Sequence, residues 1–271
     1  MSSIDNPFNF TQGDSPLLVS MPHSGLSLLA GMEQRLTANA QALPDTDWYI
    51  PELYDFLQPL GVSVISANYS RYVVDLNRPV DDKPLYSSKT TGLFPQILFA
   101  DKPVFLAGKQ HSTAQQQQIK QDIWHGYHDT IQAELVRIKA KFGYAILFDA
   151  HSIAAQVPML FDGVLADFNF GNNDGASCSA ALLANLADIV ATSSYSHVSN
   201  GRFKGGYITR SFGQPNDNVH AIQLELSQAT YLVDDVEGYQ LDNAKKQQLS
   251  PVLKALITSL LAVDNKTFCI K

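Results

Sequence analysis

Two histidines stand where a sheet would deliver them to a site. His23 follows the run Leu-Leu-Val-Ser-Met (17–21), and His151 follows Ala-Ile-Leu-Phe (145–148). Short apolar runs of this kind read as buried strands, and open α/β sheets place ligand chemistry at strand carboxyl ends. A third strand-like stretch, Val219 to Gln228, is interrupted by Glu225. A carboxylate inside a central strand needs a partner or a task. Two histidines and one carboxylate, with water in the fourth position, are the ligand set of a hydrolytic zinc site. Their long, irregular spacing suits a catalytic site, since structural ligands come in close pairs. Zinc lowers the pKa of a bound water and polarises a carbonyl. A free carboxylate then serves as base, and Glu225 is the candidate.

Arginines gather in the same way. Arg71 and Arg78 flank an apolar, strand-like core, with Asp75 and Asn77 between them. An Asp–Arg pair there fits a structural role as well as a functional one. Two guanidinium forks near one site match a dicarboxylate. A second basic segment, Arg202 to Arg210, carries the pair Gly205-Gly206. It has no Gly-Lys-Ser/Thr ending and no helix expected after it, so it is no phosphate loop. The chain has no Gly-x-Ser-x-Gly elbow and no Gly-x-Gly-x-x-Gly after a strand, which counts against a serine hydrolase of that type and a dinucleotide enzyme.

The elements that must hold these groups follow from local pattern. Leu53, Phe56, Leu57 and Leu60 fit one helix face, with Pro51 in its first turn. Asp45 and Asp47 lie just before it; Asp45 reads as a cap, and Asp47 fits a cap or a ligand. Residues 62–68 read as a strand. Residues 80–110 form a long excursion of lid or active-site-loop type. From Ser112 to Phe142, Ile119, Ile123, Tyr127, Ile131, Leu135 and Ile138 recur every three or four positions, a long helix that also accounts for His125 and His128. Residues 157–161 read as extended, 167–175 as a polar Gly-rich loop, and Ser179 to Ala191 as a helix. In the strand before Gln228, Ile222, Leu224 and Leu226 share one face; Gln223, Glu225 and Ser227 share the other. A last helix runs through Leu249, Val252, Leu256 and Leu260, with Pro251 in a first turn or at a kink. No repeat or linker divides the chain, so residues 1–271 are expected to form a single α/β domain.

Bulk properties narrow the partners. The net charge of -7 argues against nucleic acid. No run of about 18 apolar residues predicts a membrane span, and the N-terminal residues lack a secretory pattern. Cys178 and Cys269 read as free thiols of a reducing cytoplasm. A small anionic substrate is the expected partner.

Six stretches together resemble the N-formylglutamate amidohydrolase (deformylase) family: Met-Pro-His-Ser-Gly (21–25), Thr-Asp-Trp-Tyr (46–49), Ser-Arg-Tyr-Val-Val-Asp-Leu-Asn-Arg-Pro (70–79), Phe-Asp-Ala-His-Ser (148–152), Phe-Lys-Gly-Gly-Tyr-Ile-Thr-Arg (203–210) and His-Ala-Ile-Gln-Leu-Glu-Leu-Ser-Gln (220–228). They span nearly the whole chain in order. The family is distantly similar to zinc carboxypeptidases and aspartoacylase. The resemblance implies a central mixed, mostly parallel sheet flanked by helices, zinc-carboxypeptidase-like. It implies zinc, one per chain or another divalent metal in its place, held by His23, Asp47 and His151. Carboxypeptidases use a His-x-x-Glu pair, whereas Leu26 stands three after His23 here. The acidic ligand must come from elsewhere: Asp47, with Asp45 behind it. The implied reaction is hydrolysis of N-formyl-L-glutamate to formate and L-glutamate in histidine breakdown. Glu225 would be the base and Arg71 the cation at the oxyanion. Asn77 and Arg78 would hold one carboxylate, and Arg202 or Arg210 the other. A related zinc enzyme acting on another N-acyl amino acid, or a metal-free binder of acidic amino acids, would share much of this pattern.

Overall fold

Two-residue alternation organises the centre of the molecule. The computed structural model describes residues 4–85, 90–234 and 238–264. Cys269 and positions 86–89 of the long excursion lie outside the described residues. Seven strands form one sheet: β1 (Phe8–Thr11), β2 (Leu17–Met21), β3 (Ser63–Ala67), β4 (Ala145–Ile153), β5 (Phe168–Gly171), β6 (His197–Ser199) and β7 (Val219–Ser227). Their order is β1-β3-β2-β4-β7-β5-β6. β2 pairs in parallel with β3 and β4, β4 with β7, and β5 with β6; β1–β3 and β5–β7 are antiparallel. This is the mixed, mostly parallel α/β sheet expected from the sequence.

Helices cover both faces. They are α1 (Ala38–Gln41), α2 (Ile50–Leu53), α3 (Thr113–Ile119), α4 (Gly126–Phe142), α5 (Ala180–Ala191), α6 (Tyr207–Phe212) and α7 (Asn243–Leu261). Leu18, Ala145, Leu147 and Ala221 share a core with Tyr127, Ile131 and Leu135 of α4. Their sequence neighbours Leu17, Val19, Ile146, Phe148, Ile222 and Leu224 point the other way, to a core with Leu182 and Leu186 of α5 and Leu253 and Leu256 of α7. One strand thus supplies two layers, as a two-residue period requires. No helix among the described residues is long and apolar enough to cross a membrane.

The long helical signal divides where function needs it. Ser112 caps α3 with a capping box to Gln115, and Gly143 ends α4 at φ 82°. Between α3 and α4, Lys120–His125 form a π turn that buries Ile123 and Trp124. Trp124 Nε1 donates to the Arg78 carbonyl at 2.9 Å, so this turn braces a loop of the site. His128 stacks on Trp124 at 3.8 Å between ring centres. Burial lowers its pKa to about 4. From pH 6.5 down to 4 the unfolded chain therefore takes up a proton that the folded one refuses, and stability falls with acid. A His128→Leu protein should lose less stability than wild type across that window in urea titrations; equal losses would remove His128 from the acid response.

Several expectations are corrected by tertiary contacts. The helix over residues 51–60 shrinks to α2 and a 3-10 turn, Gln58–Leu60, because Pro59 forbids a continuous helix. Residues 71–78 are not a strand. Tyr72, Val73 and Val74 are buried, but the backbone turns, with Val73 N–H on Ser70 O and Arg78 N–H on Asp75 O. Residues 157–161 turn rather than extend, since both Leu160 and Phe161 N–H groups bond Val157 O. The polar loop at 167–175 contains β5, whose Phe168 and Phe170 alternate with Asn169 and enter the core. A helix, α6, does follow the Gly pair at 205–206. Pro251 lies inside α7. Finally, β4 runs on to Ile153, so His151 sits within the strand, paired through Ser152 and Ile153 to β7.

Candidate active site

At the carboxyl ends of β4 and β7 one face changes from apolar to polar. Ala145 and Leu147 are followed on that face by Asp149 and His151, and Ala221 by Gln223 and Glu225. The parallel register sets Asp149 beside Gln223 and His151 beside Glu225. β2 is the other neighbour of β4, and the turn after it carries His23. That turn passes so close to the segment after β3 that a Cβ at Gly25 would lie 2.3 Å from Tyr69 O; only glycine fits. Asp47 N–H donates to His23 O at 3.1 Å, which ties the Asp47 turn to the His23 turn.

Three ligand atoms converge as a result. His23 Nδ1 and His151 Nδ1 are 3.1 Å apart. Asp47 Oδ2 lies 3.1 Å from His151 Nδ1 and 3.8 Å from His23 Nδ1. All three residues are buried. A tetrahedral zinc with bonds of about 2.0–2.2 Å holds its ligand atoms roughly 3.3–3.6 Å apart. The triangle therefore fits such a metal, and so does its donor chemistry of two imidazoles and a carboxylate. Asp45 turns elsewhere: its Oδ2 accepts Phe99 N–H at 3.1 Å.

The far nitrogens of both rings are held by acids. His23 Nε2 is 2.7 Å from Asp75 Oδ1, and His151 Nε2 is 3.0 Å from Asp149 Oδ2. A carboxylate on Nε2 fixes the tautomer that offers Nδ1 to a metal. Asn77 Nδ2 lies 3.0 Å from the same His151 nitrogen, its amide anchored by Ile208 N–H on Oδ1. Burial works against charge on His151, but Asp149 and Asp47 outweigh it and raise its pKa well above the usual value. For His23, burial and Arg71 prevail over Asp75 and lower it. Burial opposes ionisation of Asp75, yet His23 and Arg71 hold it well below the carboxylate range. Asp75→Asn should weaken metal binding about 10- to 100-fold, measured by competition with a coloured chelator. An unchanged Kd would leave Asp75 without an orienting role.

The other expected residues divide. His23, Arg71, Asn77, Arg78, His151, Arg202 and Glu225 line one cleft, with Thr90 and Phe99 from the long excursion. Arg71 donates to Asp75 Oδ2 at 2.7 Å and stands under the Phe99 ring, 4.8 Å from its centre. Arg78 commits Nε to Thr91 O, Nη1 to Asn77 O and Nη2 to Thr90 Oγ1. Arg202 gives Nε to Leu160 O. Arg210 is not among the residues lining the cleft; its Nε donates to Gly205 O. Burial pushes the Glu225 carboxyl up to about 8, with His151 opposing and Asp47 reinforcing the rise. Sequence reasoning missed Gln223, Ser152 and Tyr231. Ser152 N–H donates to Asp47 Oδ2, and Tyr231 hydroxyl to Ser152 Oγ at 2.7 Å. The local signal was strand parity for Gln223 and adjacency to His151 for Ser152; Tyr231, past the end of β7, had neither.

A family model described as N-formylglutamate amidohydrolase matches residues 15–232. The chain belongs to the N-formylglutamate amidohydrolase family. Within that family it is 52% identical to an N-formylglutamate deformylase of Pseudomonas aeruginosa, over 96% of this chain and 97% of the relative. It is 49% identical to the deformylase of Pseudomonas putida over the same shares. The fold is similar to that of a solved N-formylglutamate amidohydrolase from Ralstonia eutropha JMP134, with a TM-score of 0.78 at 20% identity, covering 95% of this chain and 99% of that one. The six stretches that carried the resemblance in the sequence supply, apart from Thr90, Phe99, Ile153, Leu160 and Arg202, every residue lining the cleft.

Proposed function

We propose that this member of the family hydrolyses N-formyl-L-glutamate to formate and L-glutamate, a cytoplasmic step of histidine breakdown, with one zinc ion held by His23, Asp47 and His151. The observation that carries the reading is the convergence of those three residues beside Glu225, in a cleft walled by arginines. The deformylase relatives, half identical over almost their full length, support the substrate.

Zinc at this site would supply Lewis acidity, polarising the formyl carbonyl and making a water acidic near neutral pH. Glu225 takes a proton from the attacking water and returns it to the departing glutamate nitrogen, the two halves of acid–base catalysis. Its buried setting brings its affinity for protons close to the working pH. Arg71 places a fixed positive charge beside the oxygen where negative charge develops. Arg78 and Arg202, both on the cleft wall, bring positive charge to the glutamate carboxylates. Asn77 contributes by holding the 206–208 backbone, its Oδ1 accepting from Ile208 N–H. Arg210 acts from behind, holding the Gly205 carbonyl of the same loop.

The test is formate release from N-formyl-L-glutamate, with a strong chelator and then with zinc restored. Activity lost to the chelator and regained with zinc is expected. Turnover that survives complete metal removal would overturn the zinc assignment. No turnover with one zinc bound per chain would redirect the substrate to another N-acyl amino acid. Neither turnover nor metal would leave a binder of acidic amino acids.

A further inference from the structure

We propose that Gln223 is a positioning residue that fixes the Glu225 carboxylate and couples its orientation to the loop carrying Arg202. The inference rests on the hydrolytic reading above and deepens it. Gln223 and Glu225 are two residues apart on β7, so both side chains leave the same face. Gln223 is buried, and each end of its amide has a partner. Gly206 N–H can only donate, and it meets Gln223 Oε1 at 2.7 Å. That contact settles which way the amide points. Nε2 is left to donate to Glu225 Oε2, at 3.0 Å. A donor on the carboxylate favours its ionised form, which is the form a base needs, and pins one of its two oxygens.

The other end of the bridge is equally confined. A Cβ at Gly206 would fall 2.2 Å from Asn77 Nδ2, so only glycine lets this backbone reach the Gln223 amide. Two residues on, Ile208 N–H donates to Asn77 Oδ1 at 2.8 Å. Arg202 and Phe203, at the start of the same loop, line the cleft. A substrate carboxylate drawn to Arg202 therefore acts on a loop whose backbone is bonded to the residue that orients the base. Gln223 carries that placement across to Glu225. Misplacing a reacting group by about 1 Å can cost on the order of 100-fold in rate, so the bridge has catalytic weight through the placement of Glu225.

Two variants test this, assayed by formate release with bound zinc counted in each. Gln223→Leu removes both hydrogen bonds; kcat should fall about 10- to 100-fold with zinc content unchanged and a smaller change in KM. Gln223→Glu keeps the length and an acceptor for Gly206 N–H, but donates to Glu225 only while its new carboxyl is protonated. Its rate relative to wild type should be highest in acid and drop about tenfold or more as the pH rises to 8. A Gln223→Leu protein with wild-type kcat, or with a raised KM alone, would overturn the inference. So would a Gln223→Glu profile parallel to wild type, which decides the matter even where the leucine variant does not fold. Wild type on the same substrate separates the two levels: if it is active, these failures strike Gln223 alone. If wild type is inactive, the substrate reading falls and the inference falls with it.

Discussion

His151→Ala is expected to abolish both stoichiometric zinc binding and measurable formate release. His151 Nδ1 is the one atom within 3.1 Å of both other ligand atoms, His23 Nδ1 and Asp47 Oδ2. Without it two ligands remain, too few to hold zinc with an open catalytic position. The substitution also strips Asp149 of its partner. Asp149 has no exposed surface, and among the described residues its remaining side-chain hydrogen bond is from Thr209 Oγ1 at 3.4 Å. Removing one member of a buried pair costs about 3–5 kcal/mol, so the variant should also unfold at lower urea. Metal content by elemental analysis and the urea midpoint are read on the same sample. A His151→Ala protein that keeps one zinc per chain would remove His151 from the ligand set.

Glu225→Gln should leave zinc in place and lower kcat by about 10²- to 10⁴-fold. The glutamine is nearly isosteric, and its oxygen still accepts from Gln223 Nε2, so the β7 backbone and its register with His151 are undisturbed. What is lost is the capacity to accept a proton from water. KM should change little, because Glu225 carries no part of the carboxylate grip assigned to the arginines. Loss of a buried acid also spares the fold the cost of charging it, so stability should hold or rise. Retained kcat in Glu225→Gln would move the base elsewhere.

Taken with the Asp75, chelator and Gln223 experiments, these results separate three roles that a loss of activity alone would merge. Ligand loss removes metal. Loss of an orienting acid weakens metal affinity. Loss of the base or its positioning residue leaves metal content untouched and lowers turnover.

Much of this was legible in the sequence, because the signals are local. The apolar runs of β2 and β4, the parity of Ile222, Leu224 and Leu226, and the three-to-four spacing from Ile119 to Ile138 each act over a few residues. The types of His23, His151 and Glu225 suggested metal-assisted hydrolysis, and the stretches around them pointed to the family. Tertiary structure alone decided the rest. Residues 71–78 look like a strand by composition, yet their backbone turns so that Asp75 and Asn77 can reach histidines 52 and 74 positions away. Nothing nearby in the chain marks Asp75 and Asp149 as the groups that choose the imidazole tautomers. Nor does it mark Asp47 over Asp45, or Gln223 as a bridge. Those choices follow from the β2-β4-β7 order, which sets three strand ends side by side. Periodicity and capping are written along the chain, whereas a site is written across it, by which strands become neighbours.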